Sequence, residues 1–282
     1  MYKLLFAAYI AEDDRILKLT EINAAWLRYR SPLYNIWLGV NDLSKVSEYF
    51  RKSFRSLNVS LFEYESIEGE NSWLSSMHAR YPCGSSFIDF NDDSFCMLEQ
   101  DVFMLNPIPA YMFKLDRPAF PRCFHQGYIG DFMIFISDSK RARSSFKIIN
   151  ACVRERLQHP DFLNYIISPR IVEDPNRVVS TEELLETVDS CTNNLMSFYN
   201  FEGWSMPHVL GSDVDASHIL ATWQAVHMSR WSLRITKPNV VMRLMDHIYA
   251  GVTEVLPVTR SVFDDNLLSR DAKVYFHDKS SS

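Results

Sequence analysis

Short apolar runs and amphipathic stretches alternate over the first 65 residues, and no other feature constrains the fold as strongly. Residues 4–10 (LLFAAYI) are continuously apolar, which suits a strand buried on both faces of a parallel sheet. Residues 14–30 place Ile16, Leu19, Ile22, Ala25 and Trp26 at helical spacing, and Ser31-Pro32 ends that helix. Residues 34–40 (YNIWLGV) read as a second strand, with Asn41-Asp42 as a turn and cap. A second amphipathic helix follows, with Val46, Tyr49, Phe50 and Phe54 inward. In VSLFEYE, Glu63 and Glu65 alternate with Phe62 and Tyr64, the pattern of a third strand near a sheet edge. Strand, helix, strand, helix, strand in this order predicts a right-handed, Rossmann-like parallel sheet. No GxGxxG follows the first strand, which counts against a dehydrogenase-type dinucleotide fold.

Beyond the third strand, residues 71–81 read as a helix ended near Pro82, residues 132–136 (FMIFI) as a buried strand and residues 139–157 as a helix. From about residue 158 the alternation weakens. Residues 181–199 suit a helix with Ser180 as N-cap and Glu183 three residues later. Residues 201–213 are a loop carrying Trp204 and His208. Residues 216–231 read as a helix capped by Asp215, and KVYFHD (273–278) as a last strand. With no repeat and no long linker, the chain is one α/β body over 1–282. Its Rossmann-like half covers 1–110 and a more irregular half covers 111–282.

Several classes are excluded by bulk properties. A net charge of −6 argues against a general nucleic-acid binder, which needs a basic face. No apolar stretch approaches the roughly 20 residues of a membrane span. The N-terminal apolar run stops at Ala11 against three acids, too short for a signal peptide, so the expectation is a soluble, cytoplasmic protein. The five cysteines show no metal spacing and fit free thiols. There is no G-x-S-x-G, P-loop, H-E-x-x-H or kinase signature.

The chemistry concentrates in LEQDVFMLNPIP (98–109). An apolar run ends in Glu99 and Asp101, one residue apart, and a second apolar run is closed by Pro107 and Pro109. Acids spaced by two at a strand end point to the same side, and such oxygen ligands suit Mg²⁺ or Mn²⁺ with positions left for water and phosphate. This segment resembles the acid-x-acid turn of nucleotide-sugar glycosyltransferases of the GT-A type, with Glu99 standing where that family usually has Asp.

The resemblance implies a GT-A-like fold in which residues 1–110 bind the nucleotide sugar and residues 111–282 the acceptor. It implies a metal held by Asp101, Glu99 and His277, the last in YFHDK near the C-terminus. Lys279 would neutralise the leaving diphosphate. Arg80, just before the acid-bearing strand, would contact the nucleotide or donor sugar; its alternative is a C-terminal helix residue complementing the dipole. Ala8 and Tyr9, at the end of the first strand, stand where the family cradles uracil and ribose. Asp131, in GYIGDFMIF, would bind sugar hydroxyls or be a turn residue. An inverting enzyme needs a carboxylate base. Asp213 and Asp215 fit its usual place, with Asp213 ahead because capping would occupy Asp215. The reaction implied is transfer from a UDP-sugar, UDP-xylose being one candidate, to a glycan acceptor. In general character the chain is also similar to the cytosolic glycosyltransferases of large algal DNA viruses (chloroviruses). Two other classes stay open: a metal-dependent nucleotidyltransferase and a non-catalytic scaffold of glycosyltransferase-like fold.

Overall fold

The computed structural model describes residues 2–10, 14–67, 78–123, 128–129, 132–158, 195–200, 215–228 and 238–267. Its first five elements are those of the alternating sequence: β1 (Lys3–Ala8), α1 (Arg15–Arg30), β2 (Asn35–Val40), α2 (Glu48–Ser56) and β3 (Val59–Glu63). β1 pairs with β2 and β2 with β3, all parallel, and β3 lies at the edge as its alternating acids predict. Asp42 accepts from the Ser44 N–H at 2.9 Å and caps a short 3-10 turn at Leu43–Lys45; the amphipathic helix itself begins later than read, at Glu48. Ser47 accepts from the Phe50 N–H and starts α2.

The chain then continues through α3 (Arg80–Phe90), β4 (Phe95–Leu98), β5 (Val102–Met104), β6 (Ala119–Cys123), β7 (Tyr128–Ile129), β8 (Met133–Ile136) and α4 (Lys140–Gln158). After them come β9 (Ser197–Asn200), α5 (Ala216–Thr222), β10 (Ala225–His227), α6 (Pro238–Thr253) and α7 (Arg260–Leu267). The large sheet runs β3-β2-β1-β4-β8-β6-β7, with β9 also on β6. β4 is parallel to β1, and β8 is antiparallel to β4. The C-terminal ends of β1 through β4 therefore share one side, which is where open α/β sheets bind ligands. β5 leaves this sheet and pairs antiparallel with β10.

Core side chains cover both faces of the sheet. Leu4, Phe6 and Ala8 pack with Leu17, Trp26 and Leu244, whereas Leu5 packs with Phe87, Met97 and Phe146. This is why residues 4–8 are apolar without alternation. No helix among the described residues is long and apolar enough to cross a membrane.

Four sequence readings change. Tyr49, read as inward on α2, is 58% exposed. Pro82 does not end a helix; it sits in the first turn of α3, where a backbone N–H has no intrahelical acceptor to lose. Arg80 is consequently an N-terminal helix residue, not a C-terminal one complementing the dipole. Ser197–Tyr199, read as the tail of a helix, instead forms β9 against β6. The remainder of that helix, the Trp204 and His208 loop, and KVYFHD lie outside the described residues.

Gly84 lets α3 approach β4 and α4. A Cβ there would meet Met97 Sδ at 2.6 Å and Phe146 Cε1 at 2.7 Å. Alanine normally gains about 1 kcal/mol over glycine inside a helix, but forcing a methyl into a filled core costs about 1–3 kcal/mol. Gly84→Ala is therefore expected to lower stability, read as a lower urea midpoint; an unchanged or raised midpoint would show that α3 can shift away at no cost.

Candidate metal centre

Glu99, Gln100 and Asp101 form the turn between β4 and β5. The Val102 N–H donates to the Glu99 carbonyl at 3.1 Å, and the Glu99 N–H donates to the Phe132 carbonyl at 2.9 Å. The turn hands the chain from the large sheet to the small one, and both carboxylates emerge on the same side.

β10 brings the third group. His227 lies opposite Val102, and the Met228 N–H donates to the Asp101 carbonyl at 2.8 Å. This pairing puts His227 Nε2 at 3.0 Å from Glu99 Oε2 and 3.3 Å from Asp101 Oδ1. Neither carboxylate lies along a ring N–H, and both ring nitrogens are buried without a well-formed hydrogen bond. Phe132 stacks on the imidazole, with centroids 4.7 Å apart and planes 22° apart. Arg80 Nη2 pairs with the other Glu99 oxygen, Oε1.

Burial alone would push the Glu99 carboxyl up and the His227 imidazole down. The partners reverse both effects. Arg80 and His227 hold Glu99 well below the usual carboxylate range. Asp101 and Glu99 push His227 up to about 10. Arg80 and the protonated imidazole together neutralise the two acids.

The ligand atoms of Glu99, Asp101 and His227 all lie within 4.8 Å of one another, a span that one divalent cation can bridge, and no second such cluster occurs among the described residues. Two carboxylate oxygens and one imidazole nitrogen fit Mn²⁺ or Mg²⁺, with the imidazole favouring Mn²⁺ of the two. The buried, poorly hydrogen-bonded Nε2 is the observation that supports the fit. Ligation needs a neutral imidazole, so a metal ion and a proton compete for that atom.

Two carbonyl-directed contacts set the turn. Asn23, on α1, donates through Nδ2 to the carbonyls of Gln100 and Val102 at 2.8 Å each. Gln100 Nε2 donates to the Ala7 carbonyl at 2.6 Å, tying the acids to the end of β1. Ala8 follows directly; its side chain is fully buried, and its carbonyl accepts from the Tyr64 hydroxyl at 3.2 Å. Tyr9 is half-buried against the Leu5–Phe87 side of the core.

Of the residues singled out from sequence, the structure thus brings Arg80, Glu99 and Asp101 together, and Gln100 links their turn to the Ala7 carbonyl, one residue before Ala8. Asp215 begins α5 without a side-chain capping bond; its exposed carboxylate meets Arg243 Nη1 at 3.3 Å. Capping therefore does not occupy it, and that reason for ranking Asp213 ahead falls. Asp131, Asp213, His277 and Lys279 lie outside the described residues. The histidine found on the acids is His227.

Sequence reasoning missed His227 because residues 216–231 were read as one helix. α5 instead stops at Trp223, whose N–H donates to the Ile219 carbonyl at 3.0 Å. The next carbonyl, of Gln224, accepts from the N–H groups of Leu105 and Asn106, so pairing with the β5 segment replaces helical bonding. Trp223 and Val226 keep a helical spacing, which masked the change. The segment AVH carries one β-branched residue, Val226, and all three of its residues are buried, a signal too short to separate strand from helix.

No protein-family model matches the chain, and no curated protein sequence matches it significantly. Solved structures do. The galactosyltransferase LgtC, in complex with donor and acceptor sugar analogs, is 12% identical, with 94% of this chain and 100% of that chain covered and a TM-score of 0.55. An active-site mutant of LgtC gives the same identity and coverage with a TM-score of 0.54. The bifunctional glycosyltransferase WbbM, in its apo form, is 11% identical, with all of this chain but 52% of that one covered, at a TM-score of 0.50. The fold is that of the GT-A glycosyltransferases. Within the GT-A fold described here, the acid turn sits at the C-terminal ends of the parallel strands, the side already assigned to ligand binding.

Proposed function

We propose that the protein is a metal-dependent glycosyltransferase that moves a sugar from a nucleotide diphosphate to a glycan acceptor. One observation carries this reading: in a GT-A fold, Glu99, Asp101 and His227 converge at the open ends of the parallel strands. When bound there, a divalent cation supplies charge stabilisation to the departing diphosphate. Asp101 and His227 would hold it. Glu99 would contribute one oxygen while Arg80 fixes the other. Arg80 also carries positive charge to the rim of the site, where a diphosphate or donor-sugar hydroxyl would lie.

The finer reading gives residues 1–110 to the donor and 111–282 to the acceptor. The Ala8–Tyr9 strand end would cradle the nucleotide base, most simply uracil, and UDP-xylose is one candidate donor. Asp131 would hydrogen-bond hydroxyls of the donor sugar. Lys279 would face the diphosphate, and His277 would join or exchange with His227 at the metal. For an inverting reaction, Asp213 or Asp215 would take the acceptor proton, with no preference between them. A nucleotidyltransferase or a non-catalytic scaffold of the same fold is the competing reading.

A thermal-shift screen of UDP-, GDP-, CMP- and dTDP-sugars, each with and without Mn²⁺, tests the proposal. A donor at 100 times its Kd adds about 2.7 kcal/mol of stability. The expected result is a Mn²⁺-dependent rise in Tm with one nucleotide class, followed by slow hydrolysis of that donor. No shift with any donor in folded protein favours the scaffold. A shift with nucleoside triphosphates instead favours nucleotidyl transfer.

A further inference from the structure

The metal reading leaves one buried amide unexplained. Asn23 lies within α1 and is fully buried. Its Nδ2 donates to the carbonyls of Gln100 and Val102, the residues before and after Asp101. Its Oδ1 has no hydrogen-bond partner. A residue needed only to fill the space between α1 and β5 would be apolar, because an unsatisfied buried oxygen is destabilising. Trp26 and Arg30, three and seven residues on, share this face of the helix. Trp26 Nε1 donates to the Met104 carbonyl at 2.7 Å, and Arg30 donates to the Leu105 carbonyl. Together the three side chains satisfy the carbonyls of Gln100, Val102, Met104 and Leu105, along β5 and its two ends. Among them, Asn23 alone spans Asp101.

We propose that Asn23 is a positioning residue for Asp101. By holding the carbonyls of the residues on both sides, it fixes where the Asp101 carboxylate stands relative to Glu99 and His227. Its two-pronged donor is the reason an amide, and not a leucine, occupies this core position. The inference rests on the metal-centre reading.

The test is Mn²⁺ binding to the full chain, followed by the electron paramagnetic resonance signal of free Mn²⁺, alongside Tm. Asn23→Leu and Asn23→Ser are compared with Trp26→Phe, which removes the neighbouring donor to the same strand. Loss of a residue that orients a ligand typically weakens metal affinity about 10-fold or more. The expected result is such a loss in both Asn23 variants and wild-type affinity in Trp26→Phe, although all three lower Tm. If Asn23→Leu fails to fold, the smaller Asn23→Ser carries the comparison. Unchanged Mn²⁺ affinity in a folded Asn23 variant, or an equal loss in Trp26→Phe, overturns the proposal and leaves the metal centre standing. Wild-type protein that takes up no Mn²⁺ overturns the metal centre and the proposal with it.

Discussion

An Asp101→Asn variant is expected to stay folded, to lose its Mn²⁺-dependent rise in Tm, and to transfer sugar roughly 10²- to 10³-fold more slowly. That range is what removal of one preorganised electrostatic group costs. The reason lies in how the acids are divided. Glu99 already gives one oxygen to Arg80, whereas the ion-pair partner shown for Asp101 is His227, a group that can itself turn to a metal. Asp101 has the more freely available carboxylate, so its loss should cost more than that of Glu99. A Glu99→Gln variant is accordingly expected to keep part of both responses. Turnover and Mn²⁺ response should be measured on the same preparations. An Asp101→Asn enzyme with wild-type values of both would remove the metal centre from the mechanism.

Acid is expected to destabilise the protein through His78, well before its carboxylates titrate. His78 is 3% exposed, and burial, reinforced by the charge of Arg80, pushes it down to about 3. The sign follows from linkage. His78 stays neutral in the folded state, while an unfolded histidine takes up a proton below about 6.5. The stability tied to His78 is therefore complete above that pH and is lost as pH falls toward 3. By pH 4.5 the loss amounts to about 2–3 kcal/mol. Glu99, held below the usual carboxylate range, adds to the acid loss only below its own unfolded value near 4.3. Urea midpoints at pH 7.5, 5.5 and 4.5 separate the two. A His78→Leu variant is expected to show a flatter dependence between pH 6.5 and 4.5, and parallel curves for variant and wild type would assign the acid loss elsewhere.

The parallel half of the sheet was legible in sequence because its rules are local. Continuous apolar runs at 4–10 and 36–40, and helical spacing at Ile16, Leu19, Ile22 and Trp26, each reflect the period of one element against one core. The acid turn was legible for the same reason: Glu99 and Asp101 follow an apolar strand directly. Pro82 was misread because a proline both ends helices and starts them, and the segment around it shows no clear helical face. His227 was missed because three residues are too few for a period, and its strand exists only by pairing with β5, far away in the chain.

By itself, then, the sequence determined the alternating parallel sheet, its edge strand and the two acids at its open end. These follow from side-chain spacing and from burial on both faces. Only the tertiary structure decided what those acids meet. The pairing of β10 with β5 carries His227 onto them, α3 turns Arg80 toward Glu99, and α1 lends Asn23 to the carbonyls of Gln100 and Val102. Such contacts join residues tens to more than a hundred positions apart. They depend on where the backbone crosses in space, which no local periodicity encodes.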